Sequence, residues 1–194
     1  MIRLFYLGIL VLAFVQTTSL LFAQNGKKNT TSCGELEVNF SNPNYLQTNQ
    51  GMIVVEAPEG WVLDKTHNNP FYFLLDGDTY KSARTLMYIN VEALEVPFEQ
   101  AVQNDITSFK KGCVNADIKD QKRASLLESG CENRTQIFAC NRESNSYVDL
   151  VTKIDFNGSL LNAVLSGDTT GDISRYRNEY DFLLQHLTMI KSKK

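Results

Sequence analysis

Few side chains in this sequence could move a proton or act as a nucleophile. The 194 residues include two histidines, His67 and His186. A serine or cysteine nucleophile normally needs a histidine as its base, so a hydrolytic site would be built around one of these two. His67 stands in the loop-like stretch KTHNNP, with Asp64 and Asp76 close by in sequence. That setting suits a general base or a ligand, and equally a plain surface residue. His186 lies between Leu184 and Leu187 in a helical pattern and reads as a packing or surface histidine. Asp76 and Asp78 in DGD resemble the start of a calcium loop, but Tyr80 takes the next ligand position, so a turn explains the pair. Asp168 and Asp172 in GDTTGD read as a loop residue and a helix N-cap. The patterns GxSxG, HExxH, GxGxxG and GxxxxGK[ST] are absent. No catalytic constellation, metal site or cofactor is expected from these residues.

The remaining chemistry is in cysteines and aromatics. The four cysteines are Cys33, Cys113, Cys131 and Cys140, with no CxxC spacing that would mark a redox motif or zinc knuckle. An even number in an oxidising compartment points to disulfides. If Cys131 and Cys140 share one strand, they are about 30 Å apart at about 3.3 Å per residue. A disulfide needs Cα atoms about 5.5 Å apart. Cys113–Cys140 is therefore the favoured pair, leaving Cys33–Cys131 or two free thiols. Trp61, the only tryptophan, sits in VEAPEGWVLDK after a strand end, a proline and a turn glycine. It reads as a plug over the open end of a core, or as part of a binding surface with Phe71 and His67. Tyr72, Tyr88, Tyr147, Tyr176 and Tyr180 allow an aromatic surface but more often pack with the hydroxyl at the rim.

These residues need elements to place them. Residues 1–23 carry Arg3, an apolar run from Leu4 to Val15, and then small and polar residues. This is the layout of a secretory signal peptide, with cleavage expected after Ala23 or Ser19. An uncleaved membrane anchor is the alternative. Residues 24–48 read as a polar leader with a weak strand, GELEVNF, and SNPNYLQTNQG, which runs on to Gly51, reads as loop chemistry. Residues 49–192 read as a single domain. MIVVEAP, FYFLL and TLMYINVEAL are strands, the last with Met87, Ile89, Val91 and Ala93 on one face. In VPFEQAVQNDITSFKKG the period changes. Phe98, Val102, Ile106 and Phe109 form a helical stripe, with Pro97 suited to the first turn and Gly112 to the C-cap.

DQKRASLLE, RTQIFACNR, SYVDLVTKIDF and SLLNAVLS are four further strands, the last two joined by a hairpin turn at Asn157-Gly158. The residues from Gly171 to Lys194 read as one long helix, with a stripe of Ile173, Tyr176, Tyr180, Leu183, Leu187 and Ile190 ending in a basic KSKK tail. The order β-β-β-α-β-β-β-β-α with hairpin-length connections predicts an α+β fold, an antiparallel β-sheet flanked by helices. Asn-X-Ser/Thr sequons begin at Asn29, Asn39, Asn133 and Asn157 and matter only in a host that glycosylates exported proteins.

The layout also resembles a known family. VEAPEGWVLDK resembles the strand–Pro–x–Gly–Trp turn of the PsbP/Mog1-like superfamily, in the style of its bacterial periplasmic DcrB-type members. LMYINVEAL with FEQAVQNDITSFKK resembles that family's strand and helix. YVDLVTKIDFNGSLLNAVLSGDTTGDISRYRNEYDFLLQHL resembles its final hairpin and closing helix. The resemblance covers roughly residues 50–190 and implies an antiparallel sheet sandwiched by helices, in proteins that largely bind or assemble with others. It carries over no partner-binding residue.

The net charge of -3 and the lack of a Lys/Arg stripe argue against a nucleic-acid partner. The leading expectation is a secreted or periplasmic, non-catalytic binding or assembly module whose partner is another envelope or secreted protein, with membrane contact only through an uncleaved anchor. The alternatives are a hydrolase or metal-dependent enzyme using His67 with nearby carboxylates, and a carrier of a small apolar ligand.

Overall fold

The computed structural model describes residues 40–122, 131–141 and 146–191. The chain divides into two units, Met1–Thr30 and Thr31–Lys194, and every described residue belongs to the second. The expected signal peptide, most of the polar leader with its weak strand GELEVNF, and Cys33 lie outside the described residues.

A seven-stranded antiparallel sheet positions everything else. Its order is β3 (Trp61–Leu63), β4 (Phe71–Leu75), β5 (Leu86–Ala93), β9 (Ser159–Gly167), β8 (Tyr147–Asp155), β7 (Asn133–Cys140) and β6 (Ala116–Asp120). Alternating sequence sets the faces, because successive side chains on a strand point to opposite sides. Val148, Leu150, Thr152 and Ile154 of β8 are all buried on one side, beside Leu161, Ala163 and Leu165 of β9 and Met87, Ile89 and Val91 of β5. The β8–β9 turn is the expected one. Asn157 and Gly158 take φ of 53° and 88°, the left-handed region that Asn and Gly tolerate best.

That inner face packs on a second layer. The layer holds α2 (Thr170–Arg175), α3 (Arg177–Gln185) and a three-stranded antiparallel sheet of order β1 (Pro43–Thr48), β2 (Gly51–Glu56) and β10 (Leu187–Lys191). Ile53 and Val55 of β2, Tyr180 and Leu183 of α3, and Leu187 and Met189 of β10 complete one core with the inner face. Tyr180 is fully buried, and its hydroxyl donates to the Ala163 carbonyl at 2.7 Å. α1 (Phe98–Gly112) packs on the opposite, outer face, where Phe98, Ala101 and Val102 meet Leu160. The result is the expected α+β architecture.

Three elements differ from the sequence reading. SNPNYLQTNQG, read as a loop, contributes β1, because a hairpin to β2 pairs six residues whose own strand propensity is poor. The strand expected at DQKRASLLE begins earlier. β6 covers Ala116–Asp120 and pairs with β7, while residues 123–130 lie outside the described residues. The closing helix is not continuous. Thr169, not Asp172, is the N-cap, and Asp172 is the N3 partner in a capping box. Tyr176 leaves helical geometry between α2 and α3, and the chain turns to strand after His186. In β10, Leu187 and Met189 are buried while Ile190 is exposed. That is period two, and the pairing satisfies the backbone edge of β2.

The Cys113–Cys140 disulfide is present, with Cα atoms 5.8 Å apart, and ties the end of α1 to the end of β7. Pro97 and Gly112 are each displaced by one position from their expected helix roles: Pro97 is the N-cap, and the C-cap is Cys113. Cys131 is disulfide-bonded as well, and its expected partner Cys33 lies outside the described residues.

Candidate functional site

The outer face of the large sheet is only partly covered, and both candidate clefts open on it. In-register neighbours place Val62 of β3, Tyr72 and Leu74 of β4, Leu86, Tyr88, Asn90 and Glu92 of β5, and Asn162, Val164 and Ser166 of β9 on this side. Asp149, Val151 and Lys153 of β8 and Phe138 of β7 lie on it too. α1 covers the β7–β9 side, with Phe109 meeting Phe138 edge to face at 5.1 Å. The connections after β3 and β4 frame the other side.

The first cleft is built on the β3–β4 connection. Asn69 anchors this loop: its side chain donates to the Val91 carbonyl and accepts from the Val91 N–H, both at 3.0 Å. Ahead of it, Asp64 Oδ1 accepts from the Thr66 N–H at 2.8 Å and from the Thr66 hydroxyl at 2.6 Å. Asp64 Oδ2 is 2.9 Å from His67 Nδ1. The Thr66 hydrogen bonds, more than the imidazole, hold the Asp64 carboxyl below the usual carboxylate range. An ionised carboxylate only accepts, so Nδ1 carries a hydrogen, and in the neutral imidazole Nε2 is the acceptor nitrogen. Tyr80, from the β4–β5 connection, stands 5.0 Å from the His67 ring and 4.7 Å from Tyr72, and Tyr72 stands 5.8 Å from Tyr88. These rings form a continuous row across the outer face. Beside the row lies a cleft of about 610 Å³ lined by Val62, Leu74, Asp64, His67, Asp78 and Tyr80, among others.

The second cleft lies between α1 and the sheet. It measures about 360 Å³ and is lined by Tyr88, Phe109, Phe138, Val151 and Val164, with Asn90, Glu92, Asp105, Asp149, Lys153 and Asn162 as its polar groups. Lys153 is buried, and its ammonium donates to Asp105 of α1 and to Asn162 Oδ1, the latter at 2.7 Å. Asn162 Nδ2 donates onward to Glu92 at 3.4 Å. Asp149 Oδ1 is buried and meets no hydrogen-bond donor among the described residues. Burial pushes the Asp149 carboxyl above its ordinary range, against an opposing hydrogen bond from Ser166. Burial, followed by the charge of Asp149, pushes the Tyr88 phenol up as well.

The residues singled out from sequence separate here. His67 is at the first cleft and pairs with Asp64, but Asp76 is not among that cleft's lining residues; Asp78 is. Trp61 and Phe71 are buried in the inner core, so the apolar surface expected around them is not exposed. Trp61 meets Tyr176 edge to face at 5.4 Å, where α2 gives way to α3. His186 caps α3 and stacks on Phe182 at 3.9 Å. Of the tyrosines, Tyr72 and Tyr88 face outward while Tyr176 and Tyr180 pack inside. Among the described residues, no group of three or more His, Cys, Asp or Glu is placed to hold a metal ion. The polar set around Lys153 went unnoticed in the sequence. A lysine alternating with apolar residues on a strand looks like a solvated face until α1 is placed over it.

No protein-family model matches the sequence, and no curated protein matches it. Solved structures do. A single-site mutant of the protein Mog1 superposes with a TM-score of 0.50 at 10% identity, over 78% of this chain and 97% of that one. The fold is PsbP/Mog1-like. The Saccharomyces cerevisiae Ran-binding protein Mog1p matches with a TM-score of 0.49 at 10% identity, over 77% of this chain and 96% of its own. A cyanobacterial PsbP from Synechocystis sp. PCC 6803 matches with a TM-score of 0.46 at 14% identity, over 82% and 98% respectively. At these identities the likeness concerns the fold and nothing beyond it.

Proposed function

We propose that this protein is an exported, non-catalytic binding module of the cell envelope that holds a protein partner on the outer face of its large sheet. Within the PsbP/Mog1-like fold, the sequence pattern from VEAPEGWVLDK to the closing hairpin favours kinship with bacterial periplasmic DcrB-type proteins. The observation that carries the reading is the row His67, Tyr80 and Tyr72, which lies outside the cleft under α1 and continues into it at Tyr88. Tyrosine gives large contact area with few rotatable bonds and is enriched at protein interfaces.

Affinity capture from the envelope fraction tests this. The intact chain should retain one stoichiometric protein, and the double variant Tyr72→Ser, Tyr80→Ser should lose it while staying folded. Equal capture by both chains would overturn the reading.

A hydrolase reading has one observation in its favour, the His67–Asp64 pair beside a cleft with Nε2 free to accept a proton. Among the described residues, neither a serine nor a cysteine lines that cleft. Ester or amide hydrolysis lost in His67→Ala would establish this reading.

A further inference from the structure

The cleft under α1 adjoins the tyrosine row at Tyr88 and extends away from it over β9, β8 and β7. Its walls are aromatic and aliphatic: Tyr88, Phe109, Phe138, Val151 and Val164. Its volume of about 360 Å³ suits a small molecule. Its ionisable lining is Glu92, Asp105, Asp149 and Lys153, three acids against one base. Lys153 is already committed to Asp105 and Asn162. Glu92 and Asp149 make no ion pair among the described residues. An anion entering here would face two uncompensated carboxyl groups. A cation would relieve both and would find ring faces to lie against, where ammonium groups are attracted by the ring quadrupole.

The sheet register gives the site a long axis. Asp149 is level with Ser166 of β9, and Glu92 reaches back to Asn162 on the same strand. Four residues of β9 separate these levels, about 13 Å at about 3.3 Å per residue. The acids therefore stand toward opposite ends, with the apolar residues Val151 and Val164 level between them.

We propose that this cleft binds a linear polyamine, its ammonium groups set toward Glu92 and Asp149 and its methylene chain lying along Val151, Val164 and Phe109. Glu92 offers a direct acceptor at an exposed position. Asp149 lines the cleft at the other end, and its Oδ1 is buried without a hydrogen-bond donor among the described residues. The reading does not depend on the protein-partner surface, and the two can fail separately.

Spermidine is the probe, added to the full chain and followed by two-dimensional ¹H–¹⁵N NMR, with glutarate as the dianionic control. Shift changes should concentrate on residues lining this cleft with spermidine and be absent with glutarate. Glu92→Gln and Asp149→Asn should each weaken spermidine binding by about tenfold. Both are near-isosteric, and Asp149→Asn removes a buried acid, so neither should unfold the chain. Shifts scattered over surface carboxylates, binding unchanged in both variants, glutarate in the same cleft, or no response to spermidine would each overturn the proposal.

Discussion

Trp61 and His67, six positions apart, have opposite fates because register and loop geometry decide exposure. Trp61 pairs in register with Leu75, on the side facing Tyr176, and is enclosed. Its role as a plug was legible from the strand end, proline and turn glycine before it. His67 sits in a loop that Asn69 ties to β5, a contact across 22 positions that no local pattern signals. Asp149 looks like an ordinary outward strand residue in sequence, and only α1 and the neighbouring strands bury it.

Two carboxyls should titrate on opposite sides of the ordinary range. By ¹³C NMR, Asp64 should titrate below free aspartate and Asp149 above it. The stability consequences have opposite signs. Asp64 adds stability above its unfolded pKa, lost as pH falls through its lowered folded value. Asp149 favours folding while protonated, so its contribution falls as pH rises from about 4 through its raised folded value. Asp149→Asn should flatten that second slope in denaturation measured across pH. Tyr180→Phe should cost about 1–3 kcal/mol in denaturant unfolding, because the Ala163 carbonyl loses its buried donor.

At the scale of elements, sequence signals succeeded where local preference and tertiary role agree. β8 places Val148, Leu150, Thr152 and Ile154 on one face, an Asn-Gly turn follows, and β9 returns as its partner; the structure keeps both strands and the turn. α1 shows a helical stripe and forms over Phe98–Gly112. β10 fails that agreement. Leu183 and Leu187 satisfy a helical spacing as well as the observed break, and the deciding factor is the edge of β2, far away in sequence. β1 is the same case, a polar segment recruited by its hairpin partner. Met189→Ala should therefore destabilise the chain by about 2–5 kcal/mol, since it hollows the core between β10 and the large sheet. An unaffected unfolding midpoint would place β10 outside the cooperative fold. Reducing or replacing Cys113–Cys140, which closes a separation of 27 residues, should cost about 2–4 kcal/mol by the same measurement.

For the whole molecule, the α+β class was readable because antiparallel strands with one buried face alternate clearly. The candidate site was hardly readable, because it is assembled from the outward positions of six strands, two loops and a helix. Such positions look like solvated surface until the layers are stacked. The central claim is that the uncovered part of the outer face, where Tyr80 and Tyr72 meet His67, holds a protein partner.

Site-specific photocrosslinking in the producing cells is the direct test. A p-benzoylphenylalanine in place of Tyr80 should give one discrete crosslinked protein. The same group in place of Tyr45, an exposed tyrosine on β1, should give none. A discrete crosslink from the Tyr45 position, with none from the Tyr80 position, would contradict the account.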